Sequence, residues 1–339
     1  MGCNLRDIAD AESIDLSDLA GMRIGIDSFL VAFQFLTSIR ARGATGDGGP
    51  LKDSKGRPVS HLMGFLDRAT SLLELGIIPI FIFDGKHPVL KADTIEKRSK
   101  SRIEAQEKWE TALAEGDYPE AQKWAQRSVR YTPEMVEETI ELLHLLGIPA
   151  FRGEAEGEGQ AAVMAQAGQL DVVATQDWDA LLYGSPILVR NLMSAGSRRM
   201  GRIIRAEKIV LDDLLQQNQL TREQLIDLAI MIGTDFHPGI RGIGPKTGLK
   251  LIKEHGTIEG VCAAKEKEIP ENLEEIRKLF LDHPANSGHD LDLKPVDFDA
   301  LTAWLKERDF SDKRIERSLS RIGKESQVRQ SGQSSLFEF

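Results

Sequence analysis

The sequence predicts an α/β fold, a mainly parallel sheet covered by helices on both faces. Short apolar runs typical of buried strands alternate along the chain with amphipathic runs typical of helices. This alternation favours parallel strands, because each helical crossover returns over one face of the sheet. The strand-like runs are residues 22–26, 77–83, 148–151 and 170–175.

The predicted helices lie between these strands. Residues 61–75 form one amphipathic run, and residues 132–146 form another with clear signals at both ends. Thr132 suits the cap position, Pro133 suits the first helical position, and Gly147 stands just past the end. These segments supply the helical layers beside the sheet.

Other segments depart from the alternation. Residues 40–58 are rich in Gly, Lys and Asp and predict a mobile loop. Residues 86–130 favour helix but are very polar, so we expect them to project from the body. After Asp235 the chain is predicted to be helical, and residues 324–333 to be a disordered polar tail.

The composition is that of a globular protein inside the cell. The chain has 339 residues, 41% of them hydrophobic, which is enough for one large domain or two smaller ones. No apolar run approaches the roughly 20 residues that span a bilayer, and the first ten residues lack the apolar centre of a secretory signal. Cys3 and Cys262 form neither a disulfide framework nor a metal-binding spacing, which suits a reducing compartment.

The charge is unevenly distributed. A formal net charge of −10 argues against a polyanionic partner, but three basic islands interrupt the acidic chain. They are residues 86–102, 190–208 and 241–255. Any one of them alone is more simply a solvated face.

Acidic side chains follow each of the four predicted strands. The carboxyl ends of parallel strands share one edge of a sheet, so these side chains are expected to converge. Any one of them alone is more simply a helix cap or a turn residue, but repetition at four strand ends favours a shared role. With Asp235, which follows a helical run, the set is Asp27, Asp84, Glu156, Glu158, Asp177, Asp179 and Asp235.

So many carboxylates in one cleft repel one another unless cations neutralise them. Mg²⁺ or Mn²⁺ is best suited, because both prefer oxygen ligands and no His or Cys set competes for a softer metal. Two such ions about 3.5 to 4 Å apart form the usual clamp for in-line displacement at phosphorus. Asp177 and Asp179 are therefore expected to face metal.

Competing motifs are weak. Residues 239–247 nearly form a phosphate-binding P-loop, but Pro245 separates the second glycine from Lys246, and Thr247 replaces the third glycine of a dinucleotide fingerprint. Asp177-Trp-Asp179 is similar to the start of aspartyl-phosphate phosphatases, but Leu181 stands where those enzymes have Thr. A covalent aspartyl mechanism is therefore not favoured.

Several stretches together resemble the flap endonucleases, members of the XPG-type structure-specific 5′ nucleases. The resemblance covers nearly the whole chain in the family's order, and Glu-Gly-Glu at 156–158 and Gln-Asp-Trp-Asp at 176–179 are its archaeal forms. The matching residues are 1–2, 24–28, 83–88, 156–162, 175–179, 233–236 and 240–246.

The resemblance implies a mixed, mainly parallel sheet of the 5′-nuclease (PIN-like) type, a helical arch over the active site, and a helix-hairpin-helix-like element that grips duplex DNA. We expect an N-terminal nuclease region, the rest of the arch, an internal nuclease region that carries the DNA-binding element, a C-terminal helical part of the same core, and a flexible tail. Their bounds are 1–105, 106–130, 131–258, 259–322 and 323–339.

By the same resemblance, the seven acids hold two Mg²⁺ ions, which Mn²⁺ can replace, and Asp179 is expected to be essential for catalysis. Lys91 and Arg98 match the basic pair of the arch that contacts the scissile phosphate; otherwise they are ordinary exposed helix charges. Gly2 is expected to place the mature amino terminus near the site. Glu154 is an extra acid beside the predicted ligands, and the sequence leaves its role open.

The resemblance also implies DNA contacts. The turn at Gly242 and Gly244 and the following helix suit a phosphate, with Arg241, Lys246 and Lys250 supplying charge. Phe33 occupies a position usually filled by Tyr and is expected to stack on a base; the alternative is a core phenylalanine.

The last seven residues resemble a box that binds the DNA sliding clamp, PCNA, although the chain stops before the usual second aromatic residue. Its binding residues are expected to be Gln333, Leu336, Phe337 and Phe339. The alternative is a solvated tail.

The function implied is cleavage of 5′ flaps, and of 5′ ends, near the junction with duplex DNA, during Okazaki fragment maturation and repair. We expect a monomeric cytoplasmic protein of an archaeal cell, without membrane contact. The alternatives are a non-catalytic scaffold that binds junctions and the clamp, a Mg²⁺-dependent phosphatase, and an exonuclease or gap-cutting member of the same family.

Overall fold

The computed structural model describes residues 2–43, 46–199 and 201–335. Its centre is a seven-stranded sheet with the order β1-β9-β6-β5-β2-β3-β4. The strands are β1 Glu12–Ile14, β2 Arg23–Asp27, β3 Ile78–Phe83, β4 Ala150–Arg152, β5 Val172–Ala174, β6 Ile187–Arg190 and β9 Ala206–Val210, and β7 Arg198–Arg199 and β8 Arg202–Ile203 form a separate hairpin.

The four predicted strands are confirmed as β2 to β5, with β4 starting two residues later than expected. Five adjacent strands run parallel to one another, in the order β4-β3-β2-β5-β6. Strand β9 is antiparallel to both β6 and β1. The sheet is therefore mixed and mainly parallel. Strands β1, β6 and β9 were not predicted from the sequence.

Helices cover both faces of the sheet. They are α1 Ser28–Ser38, α2 Ser60–Glu74, α3 Ala92–Ala114, α4 Tyr118–Ser128, α5 Pro133–Leu145, α6 Gly157–Gln166, α7 Asp179–Leu182, α8 Leu211–Asn218, α9 Arg222–Ile232, α10 Pro245–His255, α11 Ile258–Lys265, α12 Leu273–Leu281, α13 Phe298–Lys306 and α14 Asp312–Ser335. In the described part of the chain, none of them has the length and apolar character needed to cross a bilayer.

The sheet divides the apolar core into two clusters, one on each face. In β3, Phe81 and Phe83 belong to one apolar cluster, and Ile80 and Ile82 belong to the other. The first cluster includes α1, α2 and α5, whereas the second includes α6, α9 and α12. Residues of a buried strand point alternately to opposite faces, so both helical layers are anchored by the same short strands.

The predicted mobile loop at 40–58 is tied down in its described part. Isolated bridges pair Arg40 with Pro50 and Lys52 with Pro58. The buried Asp53 carboxylate accepts a hydrogen bond of 2.6 Å from Arg57, and Lys55 pairs with Glu307 after α13. Asp53 and Lys55 are therefore engaged in one local and one long-range ion pair.

The polar segment 86–130 is confirmed as helical and forms the antiparallel hairpin of α3 and α4. It does not project freely. The indole of Trp109 donates to the Asp47 carbonyl oxygen at 2.8 Å, and the Gln122 side chain donates to the carbonyl oxygens of Gly43 and Gly46. Hydrogen bonds from Trp109 and Gln122 therefore hold the hairpin against the loop after α1.

Helix α14 continues through residues 324–333, which the sequence predicted to be disordered. This stretch contains Lys, Glu, Gln and Arg, which have good helix propensity, and it extends a helix that is already formed. The extension therefore avoids the cost of a new nucleus.

Candidate active site

Three aspartates lie at the carboxyl edge of the sheet. Asp27 is the last residue of β2 and caps α1, accepting a hydrogen bond of 3.2 Å from the backbone of Phe29. Asp84 directly follows β3, and Asp177 follows β5 by three residues. Since β3, β2 and β5 are hydrogen-bonded neighbours running in parallel, their ends meet at this edge.

Helix beginnings supply the other acids. Glu156 is the N-cap of α6, Glu158 lies in its first turn, and Asp179 is the first residue of α7. Asp235 follows α9 and is buried beside the same edge, where its charge acts on Asp177. The structure thus brings all seven predicted acids together.

Glu154 is separated from the cluster. Its side chain is exposed, whereas Glu156 is 3% exposed and Glu158 is half-buried with Oε2 enclosed. The backbone carbonyl of Glu154 accepts a hydrogen bond from Lys86 instead. The geometry therefore selects Glu156 and Glu158 as the candidate ligands.

Neutral donors orient four of the carboxylates. None of these donors was predicted from the sequence, although a Thr ending a strand and a Tyr in an apolar run are polar groups that need partners when buried. The donors are Thr175 Oγ1 to Asp27 at 3.0 Å, Gly157 N to Asp84 at 2.8 Å, Cys3 N to Asp179 at 2.8 Å and Tyr183 Oη to Glu156 at 2.6 Å.

The amino-terminal segment approaches the same carboxylate. A Cβ placed on Gly2 would lie 2.5 Å from Asp179 Oδ1, so only glycine fits at this approach. Gly2 therefore lies at the acid cluster.

Burial and mutual repulsion raise the pKa values of most of these acids. Burial is the larger cause for Asp27 and Asp179, whose pKa values rise to about 7, and the charge of Asp177 adds to both. Burial and the surrounding acids raise the pKa of Glu158 well above its usual range. Within the described residues, none of these three carboxylates forms an ion pair with a basic side chain. A cation bound beside Asp27, Glu158 and Asp179 would therefore neutralise carboxylates that repel one another.

The predicted basic pair neutralises the other side. Lys91 Nζ contacts Glu156 Oε1 and lies 3.1 Å from Asp235 Oδ2, and Arg98 donates to Asp235 Oδ1 at 2.7 Å. Burial would raise the pKa of Asp235, but neighbouring cations, Lys91 first among them, hold the pKa at about 2. The structure thus places Lys91 and Arg98, from the start of the α3–α4 hairpin, directly on the acid cluster.

Among the described residues, no three His, Cys, Asp or Glu side chains are grouped closely enough to enclose a metal ion as they stand. Lys91 explains part of this, because its ammonium occupies the space between Glu156 and Asp235. The donor set still fits a hard divalent ion: it consists of carboxylate oxygens, and Glu158 Oε2 is buried with no hydrogen-bond partner among the described residues.

Phe33 is half-buried on α1. Its ring meets Phe29 edge-on at 5.2 Å between centroids, and the guanidinium of Arg102 on α3 lies 4.8 Å from its centroid. The ring therefore belongs partly to the core and partly to a surface covered by a basic side chain.

The predicted DNA-binding turn lies between α9 and α10. Gly242 has φ of +89°, a conformation that favours glycine, and Gly244 is the N-cap of α10. The side chains of Arg241, Lys246 and Lys250 are exposed around it. The turn and the helix start are thus open to a phosphate.

The predicted clamp-binding box falls mostly outside the described residues. Gln333 lies near the end of α14, while Leu336, Phe337 and Phe339 follow the last residue that the structure describes.

Comparison with known families covers more than half of the chain. The XPG N-terminal domain family matches residues 4–105, and the XPG I-region family matches residues 147–235. Together they contain all seven acids, and the I-region match ends on Asp235 itself.

Similar proteins extend the match to nearly full length. Flap endonuclease 1 of Methanosarcina acetivorans is 42% identical over 336 residues, 97% of this chain and 98% of that protein. Flap endonuclease 1 of Pyrococcus abyssi is 41% identical over 331 residues, 96% of this chain and 94% of the relative.

Solved structures agree. Flap endonuclease-1 from Methanococcus jannaschii has 34% identity and a TM-score of 0.75, covering 96% of this chain and all of its own. The catalytic core of Rad2 in complex with DNA substrate shares the fold, with 23% identity and a TM-score of 0.72 over 95% of this chain and 100% of that one. The chain therefore belongs to the flap endonuclease family of XPG-type structure-specific 5′ nucleases.

Proposed function

We propose that this chain cuts 5′ flaps, and 5′ ends, near the junction with duplex DNA, using two Mg²⁺ ions held by its seven clustered acids. Convergence of these acids at one sheet edge, with Lys91 and Arg98 above them, is the observation that carries the proposal. The membership in the flap endonuclease family supports the same reaction. Mn²⁺ is expected to replace Mg²⁺, because both accept oxygen ligands.

Each group has a distinct task. When bound, the two ions supply an activated water and neutralise charge on the phosphate. The carboxylates of Asp27, Asp84, Glu156, Glu158, Asp177, Asp179 and Asp235 hold them. Lys91 and Arg98, which contact Glu156 and Asp235 in the structure, would donate to the scissile phosphate and stabilise the charge that develops there.

DNA is held at two further places. The exposed turn at Gly242 and Gly244, with Arg241, Lys246 and Lys250, binds the phosphate backbone of a duplex. Phe33 stacks on a base beside the cut, and Arg102, whose guanidinium lies 4.8 Å from the ring centroid, adds positive charge there. The half-buried position of Phe33 suits this role, since a fixed ring orders a base at little entropic cost.

We propose that the tail, including Gln333, Leu336, Phe337 and Phe339, binds the sliding clamp, PCNA. The apolar residues that end an otherwise polar segment support this proposal. Clamp binding would bring the enzyme, as a monomer, to Okazaki fragments and to repair sites in the cell. The regions expected at 1–105, 106–130, 131–258, 259–322 and 323–339 then act as N-terminal nuclease region, remainder of the arch, internal nuclease region with the DNA-binding element, helical part of the same core, and tail.

A labelled 5′-flap duplex, assayed beside blunt and 3′-flap controls, tests the activity. Asp179→Ala should lower the cleavage rate by at least about 1,000-fold, because Asp179 is a proposed metal ligand, and should leave flap binding in EDTA within a few-fold of the parent. Asp212→Ala, which removes an exposed acid of α8, is the matched control and should cut normally.

Other outcomes identify the alternatives. Binding without cleavage by the parent protein in Mg²⁺ would favour the scaffold, and hydrolysis of small phosphate esters without flap cutting would favour the phosphatase. Cleavage confined to blunt or gapped ends would identify an exonuclease or gap-cutting enzyme. Cleavage that persists in EDTA would refute the metal mechanism.

A further inference from the structure

Tyr183 contacts the acid cluster without being one of its acids. It follows α7, the helix that begins with Asp179, and its backbone N–H donates to the Asp179 carbonyl oxygen at 3.0 Å. Its hydroxyl donates to Glu156 Oε2 at 2.6 Å. The residue therefore connects the β5–α7 side of the cluster with the β4–α6 side.

The ring is firmly held. Tyr183 is 1% exposed, and its ring contacts His283 edge-on at 4.7 Å and Phe280 at 5.0 Å between centroids. Its backbone carbonyl accepts a hydrogen bond of 2.8 Å from Gln166. A side chain fixed in this way delivers its hydroxyl to one point, so the hydrogen bond limits the orientations open to Glu156.

The hydrogen bond also makes the two carboxylate oxygens of Glu156 different from each other. Oε2 accepts from Tyr183, while Oε1 contacts Lys91 Nζ. The Lys91 ammonium stands for a cation at that position, so the oxygen left to a cation is Oε1. We propose that Tyr183 is a positioning residue that holds Glu156 with Oε1 facing the metal and thereby raises the affinity of the cluster for Mg²⁺. This inference rests on the proposed role of Glu156 as a metal ligand.

A purely structural role is the competing explanation, since a buried hydroxyl needs a partner wherever it lies. Tyr131 provides the matched comparison. It is 7% exposed, and its hydroxyl donates to Thr139 Oγ1 at 2.8 Å, in the other apolar cluster. Tyr131→Phe and Tyr183→Phe each remove one buried hydroxyl and keep the ring, but only Tyr183 touches a proposed ligand.

Metal binding is measured without DNA or turnover, by electron paramagnetic resonance of free Mn²⁺. Groups that orient a metal ligand contribute about 10- to 100-fold to affinity. Tyr183→Phe should therefore weaken Mn²⁺ binding by at least about 10-fold, and raise the Mg²⁺ concentration for half-maximal cleavage by a similar factor. Tyr131→Phe should change neither. Equal metal titrations for Tyr183→Phe and the parent would overturn the proposal.

Glu156→Gln separates this inference from the proposed function. If Tyr183 acts through Glu156, adding Tyr183→Phe to Glu156→Gln should weaken Mn²⁺ binding by less than about 3-fold further. An undiminished further loss would contradict the positioning role. If Glu156→Gln alone binds Mn²⁺ as the parent does, the assignment of Glu156 as a ligand fails instead, and the inference with it.

A labelled parent protein provides a second measurement that needs no folded variant at position 183. The chain contains three tyrosines, so 3-fluorotyrosine labelling should give three ¹⁹F resonances. Tyr131→Phe and Tyr118→Phe identify two of them, and the third belongs to Tyr183. That resonance should shift in proportion to Mg²⁺ occupancy, and a Mg²⁺ titration that leaves it in place would also refute the proposal.

Discussion

Lys91 links two states of the acid cluster. With its ammonium between Glu156 and Asp235, the resting cluster has part of its charge neutralised by the protein itself. Burial would lower the pKa of this lysine, but the two carboxylates outweigh that effect and raise it, so Lys91 stays charged. A metal ion bound by Glu156 or Asp235, as proposed above, would therefore compete with Lys91 for the same oxygens.

His61 is a second residue whose surroundings are unusual. It is fully buried at the start of α2, faces Tyr131 edge-on at 5.8 Å, and neither ring nitrogen has a hydrogen-bond partner among the described residues. Burial lowers its pKa to about 3. The folded protein therefore holds this imidazole neutral across most of the acidic range.

The pH dependence of stability should show this. Below the unfolded pKa of about 6.5, the unfolded chain binds a proton at His61 that the folded chain does not, so the folded state loses about 1.4 kcal/mol per pH unit. The loss should continue down to about pH 3. His61→Leu removes it. Urea unfolding of both proteins should give a difference in unfolding free energy that is constant between pH 7 and 8 and grows in favour of the variant below pH 6.5. If the unfolding free energies of the two proteins changed equally with pH down to pH 4.5, the lowered pKa of His61 would be contradicted.

At the scale of elements, ion pairs join the C-terminal helices. Arg277 on α12 donates two hydrogen bonds of 2.7 Å to the buried Asp227 on α9 and further bonds to Glu259 on α11. Asp227 also accepts a hydrogen bond from the backbone of Ile258, at the start of α11. One guanidinium and one carboxylate therefore fix three helices that support the proposed DNA-binding turn.

Arg277→Met tests how much this network contributes to the unfolding free energy. It leaves the Asp227 carboxylate buried without its charged partner, which costs about 3 kcal/mol of unfolding free energy. Lys306→Met, which breaks the exposed pair with Asp312, is the control and should change stability by less than about 0.5 kcal/mol. Chemical unfolding followed by circular dichroism measures both. Similar small losses in both variants would show that the buried network contributes little.

At the scale of the whole molecule, charge is separated in space. The acids gather at one sheet edge, whereas the exposed Arg241, Lys246 and Lys250 surround a turn between α9 and α10. A net charge of −10 therefore does not describe what a DNA backbone would meet. Local cations decide binding, because each neutralised phosphate releases counterions.

The salt dependence of DNA binding tests this separation. Lys246→Ala with Lys250→Ala should weaken binding to duplexes of any sequence and reduce the slope of log K against log salt by about 0.9 for each phosphate that the protein no longer neutralises. Lys294→Ala is the control, because Lys294 lies beside Gly147 at the opposite edge of the sheet. Fluorescence anisotropy in EDTA measures the slopes. An unchanged slope in the double variant would place the duplex elsewhere.

The sequence by itself determined the four strands β2 to β5, the helices at 61–75 and 132–146, and the convergence of seven acids, because periodicity and strand ends are local and the carboxyl ends of parallel strands must share one edge. Only the tertiary structure decided the rest. Strands β1, β6 and β9 are stabilised by neighbours distant in sequence, and the fastening of residues 40–58 depends on α13 and the α3–α4 hairpin. Glu154 was separated from Glu156, and Tyr183 was joined to it, by packing, since hydrogen bonds across 27 residues leave no trace in local spacing.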